Sequence, residues 1–202
     1  MTQARTALEV SDMATVSNTR RPVRALDLSG LALTGVFTGG FLGALTNAVN
    51  GAVSPGYFIT VLGWKNVEHV WTACIARGIF EGLVIGLIFS TLLAIAASLI
   101  SRGSCPYSFS VKHLLGISGG ALVCWLIGGG LGVGLAAFSP EFYRETFYGV
   151  PGDFGPMLAF AWVGGSIWGI EFGGFACLML GMAILRANWH NHLESSTTVC
   201  SN

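Results

Sequence analysis

Four long apolar segments leave this chain of 202 residues very few ways to fold. They cover roughly residues 28–53, 72–100, 114–138 and 157–185, and a helix needs about 20 residues to cross a bilayer. Charged residues make up 10% of the sequence, whereas soluble globular proteins contain about 25%. The pattern predicts an all-α integral membrane protein with four transmembrane helices and the lipid bilayer as its surroundings.

Most of the 29 glycines lie inside these apolar segments, although each interior Gly costs a water-soluble helix about 1 kcal/mol relative to Ala. Many of them recur at every fourth residue, which places them in one narrow stripe where another helix backbone can lie close. We expect the stripes to form helix–helix interfaces; the alternative is a glycine face shaped around a pigment, lipid or quinone. The predicted interface glycines are Gly35, Gly39, Gly43, Gly78, Gly82, Gly86, Gly120, Gly128, Gly132, Gly165, Gly169 and Gly173.

The two halves of the chain resemble each other. A shift of 85 residues places Gly35 on Gly120, and the Ser-Pro dipeptide at 54–55 on the one at 139–140. A shift of 87 residues places the three stripe glycines of the second segment on those of the fourth. This predicts two copies of a helix–loop–helix unit, arranged as two helical hairpins. Because each copy holds two spans, the repeat is parallel, with an approximate twofold axis along the membrane normal.

The expected organisation follows from these segments. Residues 26–100 form the first two-helix repeat and residues 114–186 the second. Residues 1–25 form a disordered cytoplasmic tail, residues 101–113 a cytoplasmic loop, and residues 187–202 a second cytoplasmic tail.

Basic residues predict the orientation in the membrane. Seven of the ten lie at one side, against Lys65 and Arg144 in the two loops at the other side. By the positive-inside rule, both termini are cytoplasmic, and we expect a bacterial-type inner (plasma) membrane. The net charge is zero and no basic run is long, so nucleic acid is not an expected partner. The five cysteines show no metal or redox spacing, and we expect all of them to be free.

Both outer loops, residues 54–71 and 139–156, open with Ser-Pro. Ser is a favoured N-cap and Pro is tolerated at the first helical position, so each loop is expected to begin with a short helix. Aromatic residues in these loops suit the headgroup region, which predicts interfacial anchor helices. The alternatives are a lid over an external site and a docking surface for a partner. The aromatic residues are Tyr57, Phe58, Trp64, Trp71, Phe142, Tyr143, Phe147 and Tyr148.

Two carboxylates lie inside the apolar segments, Glu81 and Glu171. An ionised carboxylate is costly there, so each should be protonated, paired or turned toward a polar cavity. Arg77 lies one turn before Glu81, close enough for an ion pair. Asn47 and Asn50 share a helix face and could hydrogen-bond to that pair. The group is then either a polar clamp between the first two spans, or a site for an ion, proton or small ligand that opens to the outside.

Glu171 is interpreted separately, because the glycine register does not align it with Glu81. It stands about 160° around the helix from its own glycine stripe. If the stripe packs inside the bundle, Glu171 faces outward, toward a neighbouring subunit or a bound cofactor.

No catalytic motif is present: the chain has no HExxH, Gly-x-Ser-x-Gly, P-loop or dinucleotide-binding pattern. We therefore expect no enzyme activity, no metal and no evident cofactor, with a bound lipid, pigment or quinone left open. The leading hypothesis is a non-catalytic accessory or assembly subunit of a larger membrane complex, or a homo-oligomer, packed through its glycine stripes. One alternative is a small ion or solute channel or carrier with an external polar site near Glu81. Another is a pigment- or quinone-binding membrane protein.

Overall fold

The computed structural model describes the backbone of residues 25–102 and 105–199, and the side chains of residues 28–102 and 105–191. All regular secondary structure in these ranges is helical. The predicted disordered tail lies outside the described residues, apart from residue 25.

Six helices make up the described part of the chain. They are α1 (Ala25–Val53), α2 (Pro55–Val61), α3 (Val70–Ser101), α4 (Tyr107–Phe138), α5 (Pro140–Thr146) and α6 (Phe154–Val199). The four long helices, α1, α3, α4 and α6, are long and apolar enough to cross a membrane. The predicted class is therefore confirmed: this is an all-helical, multi-pass membrane protein.

Two of the helices extend beyond the predicted spans. The third span was expected to begin at residue 114 after a loop over 101–113, but α4 begins at Tyr107, directly after Pro106. The last span was expected to end near residue 185 before a cytoplasmic tail, but α6 continues to Val199. Both added stretches are polar. A prediction based on hydropathy alone therefore leaves them out of the spans. Neither contains Gly or Pro, so nothing in their sequence stops a helix.

The long helices associate in two pairs, with the most extensive packing between α1 and α3 and between α4 and α6. In the first pair, a Cβ added at Gly39 would collide with the backbone of Gly82 and Gly86. In the second pair, a Cβ added at Gly128 would collide with the backbone of Gly165 and Gly169. At these positions, the two helices of each pair are in direct backbone contact.

All twelve predicted interface glycines face their paired helix, because a Cβ at any of them would lie closer than 3 Å to an atom of that helix. Some other glycines of the same spans have open space instead. A Cβ at Gly116, Gly119, Gly130 or Gly134 of α4 would meet nothing within 4 Å. Glycine spacing therefore identifies most of the contact positions on α4 but not all of them. Gly116 continues the spacing of Gly120 and is open, whereas a Cβ at Gly129, outside this spacing, would lie 2.8 Å from Trp162.

The two pairs meet through α1 with α4 and through α3 with α6, which pack less extensively. Asn50 of α1 is buried and accepts a hydrogen bond from the Ser166 hydroxyl of α6, with Oγ and Oδ1 3.0 Å apart. The rings of Phe89 in α3 and Phe175 in α6 meet edge to face, with centroids 5.4 Å apart.

Helices α2 and α5 cover one end of the bundle, called here the loop end. As the Ser-Pro dipeptides predict, they begin at Pro55 and Pro140, but neither preceding Ser makes a side-chain capping bond. Phe58 and Tyr143 are only 1% and 4% exposed, so these two rings pack into protein, where headgroup contact was expected.

We predict that Gly128→Ala destabilises the protein by about 1–3 kcal/mol, because the added methyl overpacks the contact between α4 and α6. The matched control is Gly134→Ala on the same helix, where a Cβ has open space. This control should be neutral or slightly stabilising. Unfolding in detergent followed by circular dichroism measures both, and equal effects of the two variants would contradict the packing.

Candidate functional site

The predicted ion pair between Arg77 and Glu81 is present on α3. The Arg77 Nε donates to the Glu81 Oε1 over 2.6 Å. Their side chains are 36% and 49% exposed on the surface of the bundle, although α3 is one of the helices long and apolar enough to cross a membrane. The pair is therefore on an outer face, and it is not enclosed by the four helices.

Glu171 of α6 is also exposed, as its position away from the glycine stripe predicts. It interacts electrostatically with both Glu81 and Arg77. Glu81 and Glu171, which the sequence analysis interprets separately, therefore lie near enough to each other to interact. Helices α3 and α6 run in the same direction and touch at Phe89 and Phe175, so residues one to two turns earlier on each helix come near each other.

Tyr57 of α2 completes this group. Burial raises the pKa of its phenol, the Glu171 charge raises this pKa further, and Arg77 lowers it. The Tyr57 ring lies against Gly164 of α6, two turns before Glu171. We call the surface formed by Tyr57, Arg77, Glu81 and Glu171 the polar groove; it runs from the loop end along α3 and α6.

The two asparagines do not join the polar groove. The Asn47 amide donates to the carbonyl oxygen of Gly43 over 3.3 Å, and Asn50 accepts the bond from Ser166. Their predicted hydrogen bonds to the Arg77–Glu81 pair are not found among the described residues. Asn50 instead links the two helix pairs, because its side of α1 faces α6.

The polar groove is short of positive charge. With both carboxylates ionised, it holds two negative charges and one positive charge, a net charge of −1. A proton, a cation or a basic side chain of a neighbouring protein would balance this charge. The groove can therefore bind or exchange a positive charge at membrane depth, or contact a partner that supplies one.

Tyr143 of α5 lies next to the groove at the loop end. Burial raises the pKa of its phenol to about 12, and the neighbouring Tyr57 contributes to the rise. The fold therefore favours the neutral phenol. Tyr143 borders the groove without adding charge to it.

Sequence reasoning missed the thiols of Cys124 in α4 and Cys177 in α6, whose Sγ atoms are 3.9 Å apart. The signal was present, because Cys124 continues the stripe of Gly120 and Gly128, and Cys177 follows Gly173 by four residues. A spacing pattern defined by glycine alone does not include either cysteine.

A second missed feature is the pair of indoles of Trp125 and Trp162. The rings meet edge to face, with centroids 5.6 Å apart, and both Nε1–H groups are buried without an acceptor within the described ranges.

A small cavity of about 20 Å³ lies at the opposite end of the bundle from α2, beside Leu31 and Cys105. It has room for little more than one water molecule.

No protein-family model, curated protein or solved structure matches this chain. The geometry of the polar groove is therefore the feature that points to a function. Among the described residues, no group of three or more His, Cys, Asp or Glu side chains could hold a metal ion.

We predict that the phenol of Tyr143 titrates near pH 12 in the folded protein. Because the folded-state pKa lies above the ordinary value of 10.0, the stability that this neutral phenol contributes is present below pH 10 and is lost as the pH rises toward 12. Ultraviolet absorbance of the phenolate measures the titration.

The transition near pH 12 should vanish in Tyr143→Phe and persist in the control Tyr148→Phe. In Tyr57→Phe it should move to lower pH, because the negative charge of the Tyr57 phenolate no longer opposes ionisation of Tyr143. If the transition near pH 12 were lost only in Tyr148→Phe, it would belong to the Tyr148 phenol and not to Tyr143.

Proposed function

We propose that this protein is a non-catalytic subunit of a membrane assembly, either a homo-oligomer or a larger complex, and that the polar groove is its contact with the neighbouring protein. The observation that carries the proposal is the exposure of Arg77, Glu81 and Glu171 on the outer face of the bundle at membrane depth.

The cost of exposing these groups to lipid supports the proposal. By insertion scales, an Arg or Asp at the centre of a transmembrane helix costs about 2.5–3.5 kcal/mol. The ion pair offsets part of this cost for Arg77 and Glu81. Among the described residues, Glu171 forms no ion pair. A neighbouring protein over the groove would remove its carboxylate from lipid.

The surroundings of Glu171 also favour a protein contact. Trp168 and Phe172 flank it on α6, with exposed fractions of 60% and 64%. Their rings are stacked, with centroids 5.2 Å apart. Trp is one of the residue types enriched among the residues that dominate the binding energy of protein interfaces. Since the groove has a net negative charge, the complementary surface would carry a basic or hydrogen-donating side chain.

We also propose that the two helix pairs are the two copies of a parallel duplication, with α2 and α5 at the outer membrane interface and both termini in the cytoplasm of a bacterial-type cell. Matching contacts support the duplication: Gly43 meets Gly78 and Gly82 in the first pair, and the corresponding Gly128 meets Gly165 and Gly169 in the second. The distribution of Lys and Arg supports the orientation.

We predict that the wild-type protein in mild detergent forms an oligomer or retains a partner, and that Glu171→Leu lowers the association constant about tenfold, as a loss of about 1.4 kcal/mol would. Native mass spectrometry over a range of protein concentrations measures this constant. The control is Glu145→Leu, an exposed acidic residue of α5, which should leave association unchanged. A strictly monomeric, partner-free wild type would refute the proposal.

A second candidate, an ion or solute carrier, is favoured by one observation. Tyr57, Arg77, Glu81 and Glu171 form a single electrostatic group that extends from the loop end into the membrane-spanning region. Such a group could take up a proton or a small cation from the outer side.

For this candidate, we predict cation or proton flux into proteoliposomes that falls at least about tenfold in Glu81→Gln, because the neutral amide cannot exchange a proton or attract a cation. Glu68→Gln in the exposed loop before α3 is the control. Absence of wild-type flux across a panel of monovalent cations and protons would exclude the carrier.

A further inference from the structure

We propose that Cys124 and Cys177 are a redox-reactive dithiol that closes to a disulfide between α4 and α6, with a lipid-soluble quinone as the electron acceptor. The thiols lie between α4 and α6, whereas Glu171 of the polar groove is exposed on the outer face of α6. The proposal therefore does not depend on the function of the polar groove.

The geometry supports bond formation. The two Sγ atoms are 3.9 Å apart, and a disulfide needs about 2.05 Å between the sulfurs and about 3.5–4.5 Å between the Cβ atoms. The sulfurs must therefore approach by about 2 Å, a distance within the reach of side-chain rotation.

The paired helix leaves room for each thiol. Cys124 lies opposite Gly173, where an added Cβ would collide with the Cys124 side chain. Cys177 lies opposite Gly120, where an added Cβ would be 2.7 Å from the Cys177 Sγ. Each sulfur therefore occupies space that a missing side chain provides, and nothing stands between the two thiols.

The other described cysteines have different surroundings. Cys74 is buried against Gly51 and Trp71, and the Cys105 thiol lies 3.3 Å from the Ser110 hydroxyl. Neither is paired with a second thiol in the part of the chain that the structure describes. The reactive geometry is therefore specific to Cys124 and Cys177.

The first helix pair has no such thiols. In the register of the proposed duplication, Gly39 corresponds to Cys124 and Ser90 to Cys177. The Ser90 hydroxyl donates to the Gly86 carbonyl of its own helix over 2.7 Å. A reversible covalent link would therefore act on one pair of the bundle and leave the other unchanged.

The position of the thiols selects the oxidant. Both lie within membrane-spanning helices, Cys124 near the middle of α4, and both are only partly buried. Water-soluble disulfides such as oxidised glutathione do not enter this region, whereas quinones dissolve in it.

In the reaction, the two S–H bonds break and one S–S bond forms. The two electrons and two protons pass to the quinone, which becomes the hydroquinone.

The test uses wild-type protein in proteoliposomes containing a short-chain ubiquinone analogue. After denaturation and digestion, mass spectrometry should detect the peptides of Cys124 and Cys177 joined by a disulfide. The linked species should be lighter than the two reduced peptides by two hydrogens and should separate on reduction. In a parallel sample, copper–phenanthroline replaces the quinone as a strong oxidant of thiols.

A variant with Ser at Cys74, Cys105 and Cys200 gives a second readout. Two maleimide labels should attach to the reduced, denatured protein, none after quinone treatment, and two again after reduction. In the matched control, Cys177→Ser in this background, the single remaining thiol should keep its label.

Two results would overturn the proposal. One is full labelling of both thiols after treatment of the folded wild type with quinone and with copper–phenanthroline. The other is oxidation that produces only cross-linked dimers, since this would place the disulfide between two chains. Full labelling leaves the oligomer and flux measurements for the groove unaffected, whereas cross-linked dimers would bear only on the oligomer measurement.

Discussion

Direct contact between helix backbones at glycine positions is the interaction on which the rest of this structure depends. In lipid, helices gain little from the hydrophobic effect when they associate, so close van der Waals packing and hydrogen bonds must hold them together. Gly39 against Gly82 in one pair and Gly128 against Gly165 in the other allow this packing. The contact also sets the rotation of each helix, and with it the side chains that point outward.

The polar groove is a consequence of that rotation. With the glycine stripe of α6 packed against α4, Glu171 is turned to the outer surface. The Arg77–Glu81 pair is likewise exposed on α3. The same close packing leaves space for the thiols of Cys124 and Cys177 between α4 and α6. One packing rule thus produces a charged outer face and a thiol pair between two helices.

Local features of the fold could be predicted from the sequence, whereas contacts between distant parts of the chain could not. The four spans and the starts of α2 and α5 follow from hydropathy and from the Ser-Pro dipeptides. The start of α4 at Tyr107 and the end of α6 at Val199 were missed, because hydropathy reports burial in lipid, whereas a helix continues until a residue stops it. Asn50 shares a face with Asn47, yet it bonds to Ser166. The spacing along α1 carries no information about which helix lies against that face.

The sequence by itself determined the membrane class, the glycine stripes and the ion pair of Arg77 with Glu81. All of these follow from hydropathy and from the rotation of about 100° per residue within one helix. Only the tertiary structure decided that Glu171 comes near Glu81, that Asn50 meets Ser166, and that the two thiols face each other. Each of these contacts joins different helices across at least 53 positions of sequence. Such contacts depend on how far the helices slide and turn against one another, which no local periodicity specifies.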